Sequence, residues 1–340
     1  MRKLIFVLGL FLSVTCFAQE KKFALYAAAF YNQENLFDTI HDAGKNDYEY
    51  LPDGTMKWNS MKYTAKLKNM SEVISQLATD KLPMGPVIIG LSEVENRNVL
   101  EDLIKQPALA SRGYEIIHYE GPDKRGVDCA FIYNPQQFHV TATKLAPYIY
   151  VNDTIHKTRG FLIASGELAN ERVHFIVNHW PSRAAASPTR ERAGEQVRAL
   201  KDSLLNAEPD SKVIIMGDMN DDPMDKSMSV ALGAKRSPKD VGPHDLYNPW
   251  WDTLVKKGVG SLMYKGKWNL FDQIVFTGNL LGDDRSTLKY YKNEVFMRDY
   301  LFQQEGQYKG YPKRTHAGGV WLNGYSDHLP TIIYLIKEIK

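Results

Sequence analysis

The sequence predicts a single α+β domain, on three observations. Apolar runs of strand length, residues 87–91 and 213–216 among them, each end in a polar turn. Between such runs lie segments of helical period. Met61, Leu67, Met70, Val73, Ile74 and Leu77 follow an approximate 3-4 spacing in residues 60–77, and Ala193, Val197, Leu200 and Leu204 mark one face of residues 188–205. The 340 residues are 44% hydrophobic and 11% aromatic, enough for a large core, and no repeat, low-complexity segment or linker divides them.

The first 18 residues stand apart from that domain. Arg2 and Lys3 precede an apolar run from Leu4 to about Leu12, and Cys16-Phe17-Ala18 closes it before Gln19. This is the pattern of an export signal cut after Ala18, which leaves residues 19–340 as a mature domain in the periplasm or outside the cell. Ser13, Thr15 and Gln19 end the run short of the ~20 apolar residues that a membrane span needs, so no transmembrane segment is expected in the mature chain. Lipid anchoring through Cys16 is the weaker alternative, because Ser13-Val14-Thr15 is a poor context for it. Without Arg2 and Lys3 the 42 basic residues become 40, equal to the 40 acidic ones. A neutral molecule has no overall attraction for polyanions, so binding to nucleic acid or anionic lipid would need a local basic patch. Cys129 remains as a lone cysteine, which excludes an intramolecular disulfide.

Taken in order, residues 23–31 form an Ala- and aromatic-rich strand that runs into Asn32-Gln33-Glu34-Asn35-Leu36-Phe37-Asp38. Residues 41–59 lack a period and read as a surface loop; the helix that follows is stopped by Pro83 and Pro86. Strand 87–91 hands on Ser92-Glu93-Val94-Glu95-Asn96. A short helix at 99–109 precedes strands at 114–119 and 128–133, joined through a hairpin-like loop at 121–126. Weakly alternating strands at 138–146, 148–155, 161–168 and 172–178 suit antiparallel pairing, and the last ends in His179-Trp180-Pro181-Ser182-Arg183. After the helix at 188–205, strand 213–216 delivers Gly217-Asp218-Met219-Asn220. Extended chain has a period of two, so Asp218 and Asn220 face the same side if the strand persists that far. Residues 223–269 are irregular, and strand 270–276 carries Asp272. Residues 277–324 interleave Tyr with Lys and Arg, and Tyr325-Ser326-Asp327-His328-Leu329-Pro330 leads into a last strand at 331–336.

One polar residue after a strand is usually a solvated turn residue. Here most strand ends carry one: Asn32, Glu34, Glu93, His179, Asp218, Asn220, Asp272, Asp327 and His328. Strands laid side by side would gather them in one cleft. Their oxygen donors suit Mg2+ or Mn2+, and there is no cysteine cluster or histidine triad for zinc; the two histidines suit phosphate oxygens.

The motifs Tyr-Asn-Gln-Glu-Asn-Leu-Phe-Asp (31–38), Leu-Ser-Glu-Val-Glu-Asn (91–96), Asn-His-Trp-Pro-Ser-Arg (178–183), Gly-Asp-Met-Asn (217–220), Phe-Asp-Gln-Ile (271–274) and Ser-Asp-His-Leu-Pro (326–330) are each weak alone. In this order, across essentially the whole mature chain, they resemble the endonuclease/exonuclease/phosphatase superfamily of DNase I-like metal phosphoesterases. The resemblance implies a four-layer α/β/β/α sandwich of two mostly antiparallel sheets with its active site at one edge. It implies Glu93 as the principal ligand of Mg2+ or Mn2+, with Asn32 and Asp327 beside the metal. Asp218 would orient or deprotonate the attacking water, Asn220 would help hold the phosphate, His179 and His328 would bind phosphoryl oxygens, and Asp272 would orient His328. Glu34 is expected behind the metal ligands and Arg183 on the phosphate, while Asp128 either orients His179 or caps the hairpin at Arg125-Gly126. Arg159 is read as a surface arginine and Glu95 as a turn residue.

The function so implied is an exported Mg2+-dependent phosphodiesterase acting on a phosphodiester substrate, first of all a nuclease. Phospholipid headgroups, nucleotides and sugar phosphates are the alternative substrates, a catalytically silent binding protein the remote one, and no stable protein partner is implied. Residues 289–314 either stack bases and meet phosphates or form an aromatic-rich surface loop.

Overall fold

The structure is a computed structural model that describes residues 21–151, 153 and 155–339. The expected export signal at 1–18, Cys16 included, lies outside them. The chain forms β1 (Lys22–Leu36), α1 (Ser60–Gln76), β2 (Ile88–Val94), α2 (Arg97–Ile104), β3 (Glu115–His118), β4 (Asp128–Tyr133), β5 (Phe138–Ala146), β6 (Phe161–Leu168), β7 (Glu171–His179), α3 (Ser187–Ala207) and β8 (Lys212–Asp218). There follow β9 (Ala234–Lys235), β10 (Leu246–Tyr247), α4 (Trp250–Lys257), β11 (Leu262–Tyr264), β12 (Lys267–Asn269), β13 (Asp272–Thr277), β14 (Lys289–Val295), β15 (His316–Ala317), β16 (Val320–Trp321) and β17 (Thr331–Ile339).

Two sheets hold the molecule together, one in the order β14-β17-β1-β2-β4-β3 and one in the order β5-β6-β7-β8-β13-β10-β9. Only β1 with β2, β7 with β8 and β9 with β10 pair in parallel, so both sheets are mixed and mostly antiparallel. They stack face to face, with Ile88 and Phe131 of the first and Phe175, Val177, Ile214, Met216 and Ile274 of the second in one apolar cluster. The approach is closest at Gly90, where an added Cβ would stand 2.6 Å from the Met216 sulfur and 2.9 Å from Val177 Cγ2. Leu67, Met70, Val73 and Ile74 of α1 and Val99, Leu100 and Leu103 of α2 cover the first sheet. Ala193, Val197 and Leu205 of α3 cover the second, against Ile163, Ile176, Val213 and Ile215. Helix, sheet, sheet and helix make the expected four layers.

Local chemistry sets the helix starts. Asn59 and Asn96 each accept a backbone N–H of the first turn, from Lys62 and Val99, and so cap α1 and α2. Asn96 therefore starts a helix, and it brings the short helix in two residues earlier than its apolar pattern indicated.

Three expectations need correction. No strand forms among the described residues of 148–155: Ile149 N–H is accepted by Gln196 of α3 and the Tyr148 hydroxyl donates to Thr189 O, so the start of the segment packs on a helix. Residues 223–269 are not wholly irregular, since α4 and a π-turn at Ser227–Leu232 lie within them. Residues 289–314 begin as an edge strand, β14, paired with β17, and their cations are largely engaged. Lys292 pairs with Glu294, Arg298 with Asp80, and Arg314 with Glu34 and Asp327.

Candidate active site

Strand register assembles the site. In the second sheet β7, β8 and β13 are neighbours, and their pairing sets His179 beside Asp218 and Asp218 beside Asp272. In the first sheet Asn32 of β1 aligns with Ser92 of β2, and the ladder then slips before Leu36 rejoins Val94. Within that slip Glu34, Asn35 and Glu93 take left-handed backbone, φ 47°, 57° and 57°. Such conformations cost about 1–3 kcal/mol each and persist where neighbours hold them. Here Glu34 N–H donates to Asn32 Oδ1 (2.8 Å) and Asn35 N–H to Glu93 Oε2 (3.0 Å). The bulge thus re-aims Glu93 towards the edge where Asp327 and His328 enter β17.

Asn220 departs from the extended geometry expected of it. Its φ is 51°. Its N–H returns to Asp218 Oδ1 (2.9 Å) and its carboxamide donates to Trp180 O (3.0 Å). Asn220 therefore shapes the turn that presents Asp218, and the two side chains do not share a strand face.

Asp218 stands at the centre. Its Oδ2 accepts from Asn32 Nδ2 at 3.1 Å and lies 3.7 Å from His179 Nε2 and 3.9 Å from His328 Nε2. Burial raises its carboxyl to about 7; His328 opposes the rise and Asp272 adds to it. His328 Nδ1 lies 2.7 Å from Asp272 Oδ2, to which Ser261 also donates. Burial works against charge on this ring, but Asp272 and Asp218 outweigh it and hold the pKa well above that of an ordinary histidine. His179 is the opposite case. Burial, then Arg159, Arg125 and His328, push its pKa well down, so the pair consists of one imidazolium and one neutral ring. The cleft therefore holds one charged histidine, and His179 offers only a neutral ring.

Oxygen ligands for a cation converge beside this group. Glu93 Oε1 lies 3.7 Å from His179 Nε2 and 4.0 Å from Arg125, and Asp327 is linked to Arg314 at 2.8 Å. Carboxylates with no sulfur donor fit a hard divalent ion; the nearby thiol, Cys129, is buried and its pKa is pushed up by that burial. Asn32 is fixed by two hydrogen bonds: its oxygen takes the Glu34 N–H, so its nitrogen faces Asp218, and the second lone pair of that oxygen remains for a cation. Glu34 accepts from Arg314 Nε (3.0 Å) and Thr315 N (2.6 Å), which ties the 303–325 segment to β1. Burial and then Asp327 raise its carboxyl to about 7.

Two further expectations change. Arg183 is held by Asp221, Asp222 and Asp225 and lies over the Phe271 ring, 4.4 Å from its centre. With its charge matched by these acids, it braces the turn after Asp218 and does not face a phosphate. Asp128 accepts Gly121 N–H (3.0 Å) and lies 3.4 Å from His118, so it ties the hairpin loop at 121–126 and makes no hydrogen bond to His179. Arg159 takes the role by His179 instead: it bonds Asp123 at 2.8 Å and donates to the carbonyls of His179 and Trp180. Arg125 was legible only as part of a charged hairpin. In the structure its half-exposed guanidinium sits beside Glu93 on a loop that Asp123 pins to Thr158 and Arg159. Arg314 was one of many cations in a long segment, and no sequence signal marks it.

The sequence model of the Endonuclease/Exonuclease/phosphatase family matches residues 27–337. The chain belongs to that family. Members of this family are divalent-metal-dependent phosphoester hydrolases, and the chain is accordingly a phosphoesterase of the same kind. No curated protein matches the sequence significantly. Among solved structures, the chain is similar to a family protein from Bacteroides thetaiotaomicron (15% identity, TM-score 0.58, 94% of this chain and 98% of that one covered). It is also similar to a mannosyl-6-phosphatase of that organism (16%, TM-score 0.57, 91% and 99%) and to D. rerio TDP2 complexed with a single-strand DNA product (14%, TM-score 0.55, 92% and 99%). These endonuclease/exonuclease/phosphatase relatives share the sandwich described above.

Proposed function

We propose that the chain is an exported Mg2+- or Mn2+-dependent phosphodiesterase whose substrates include single-stranded nucleic acid. The observation that carries this reading is the pairing of a base with an imidazolium from opposite sheets: Asp218 and His328 lie 3.9 Å apart beside Glu93. Asp218 accepts the proton of the attacking water as the new P–O bond forms and the bond to the leaving oxygen breaks. His328 Nε2, held by Asp272 through Nδ1, donates to a nonbridging oxygen as charge grows there, and His179 Nε2 can donate to a second. Asn32 and the Asn220 turn keep Asp218 aimed. Glu93 and Asp327 would hold a divalent ion, which would supply the remaining charge for the phosphoryl and leaving oxygens.

The DNA product in the D. rerio structure supports the nucleic-acid reading. Because Lys292, Arg298 and Arg314 are paired with acids, contact would centre on a few nucleotides near the site. A second reading, a phosphorylated sugar, draws on the mannosyl-6-phosphatase and the balanced charge. Purified protein assayed with Mg2+ on bis-nitrophenyl phosphate, nitrophenyl phosphate, a single-stranded oligonucleotide and a hexose phosphate separates these. Cleavage of the diester and oligonucleotide, abolished by EDTA, is expected; faster turnover of the monoesters moves the reading to the sugar phosphate, and full activity in chelator removes the mechanism. Mass spectrometry of exported protein tests the leader: a first residue of Gln19 is expected, and a lipidated Cys16 overturns that part.

A further inference from the structure

We propose a second cation site, separate from the active centre, formed by His118, Glu120 and Asp128 where β3 and β4 enter their connecting loop, and suited to a transition ion such as Zn2+ over Mg2+. His118 ends β3, Asp128 begins β4, and one ligand atom from each of the three side chains falls within 4.8 Å of the others. The His118 side chain is 2% exposed and its Nε2 has no hydrogen-bond partner, although it lies 3.4 Å from Asp128 Oδ2. Its Nδ1 lies 3.8 Å from Glu120 Oε1.

A buried polar atom left without a partner is costly, and each such atom in a native protein asks for a cause. An ion supplies the missing partner. Neighbouring ligands of an ion bound at about 2.0–2.2 Å in a tetrahedron stand about 3.3–3.6 Å apart, and the 3.4 Å from His118 Nε2 to Asp128 Oδ2 matches that spacing. One nitrogen and two carboxylates are a donor set that zinc accepts and that Mg2+, an oxygen binder, does not seek. The two ring nitrogens face different acids, so the ion takes one of them, and Glu120, 57% exposed, is free to swing to that side. Two surroundings agree. An added Cβ on Gly121 would meet Asp128 Oδ1 at 2.2 Å, so the loop closes directly over this carboxylate. Asp42 adds a further acid nearby, while the neighbouring cation, Lys45, has its ammonium engaged by the carbonyls of Gly121 (2.7 Å) and Asp123 (3.2 Å). An ion here braces the loop that carries Arg125 and does not depend on the reaction proposed above.

The test is calorimetric titration of Zn2+ into chelator-stripped full chain in saturating Mg2+, with Co2+ absorption in the visible as a second readout. Wild type and Glu93→Gln are expected to take up one Zn2+ each and to show the Co2+ band. His118→Ala and Glu120→Gln are expected to lose the band and weaken uptake at least ~10-fold. If His118→Ala fails to fold, Glu120→Gln, at an exposed position, still reports. Equal uptake by all four proteins overturns the site, and so does the absence of a Co2+ band in wild type.

Discussion

At the scale of single residues the site works by separating the states of like groups. Two histidines lie near Asp218, and only His328 has a buried carboxylate behind it, so only His328 is held charged. His328→Ala and Asp272→Asn should each lower turnover by at least ~10², the loss of one preorganised donor. The double variant should lose little more than the worse single one, because the two act together; multiplying losses in steady-state kinetics would show that Asp272 acts on its own. The arginines divide in the same way. Arg125→Ala should raise KM with kcat nearly unchanged, since its guanidinium faces the substrate side of Glu93 without a hydrogen-bonded acid. Arg183→Ala should leave KM unchanged and lower the unfolding midpoint, since its three partners are the aspartates of its own turn. A KM effect confined to Arg183→Ala would reverse this assignment. Sequence marked Asp218 and Glu93 because each follows an apolar run, and His328 because it leads into one. It could not rank Arg125, Arg159 and Arg183, because an arginine's partner is set by folding.

At the scale of elements, the close approach of the two sheets is what lets β1, β2 and β17 from one and β7, β8 and β13 from the other share an edge. Gly90 permits that approach. Gly90→Val should destabilise by about 1–3 kcal/mol, the usual cost of overpacking a filled core, measured by urea unfolding. Met216→Ala added to it should recover part of the loss, as the Met216 side chain supplies the nearest atom; no recovery would place the strain in the backbone. Strands that face two apolar layers were legible as continuous apolar runs. The segment at 148–155 was misread because its weak alternation fits a strand equally well, and only the packing on α3 decides otherwise. The left-handed turns at Glu34, Glu93 and Asn220 left no trace, since none of these residues is glycine.

At the scale of the whole molecule, crowded acids make stability depend on pH and metal together. Burial raises Asp218 from 3.8 to about 7 and Glu34 from 4.5 to about 7. Glu95, 2% exposed, rises from 4.5 to about 9 for the same reason. A carboxyl whose folded pKa exceeds its unfolded value holds its proton more tightly when folded, so its contribution is full below the unfolded pKa and falls as pH rises through the folded one. Metal-free protein should therefore lose stability between about pH 4 and 9. Because a divalent ion binds the ionised acids, the gain in Tm on adding Mg2+ should grow over the same range. Scanning calorimetry with and without EDTA reads both; a Tm that climbs with pH in EDTA would contradict the assignment. Among the described residues no helix is long and apolar enough to cross a membrane.

What the sequence determined by itself was most of the long core strands and the polar residues beside them, because apolar length and turn chemistry are local and survive without knowledge of the fold. The tertiary structure alone decided which of those residues are charged and which partners they meet. Asn32 turns its carboxamide nitrogen to Asp218, His179 is held neutral and Arg183 is matched by acids. Each outcome depends on distances of a few ångströms between residues up to hundreds of positions apart, and such distances are set by sheet register and burial, which no local pattern encodes.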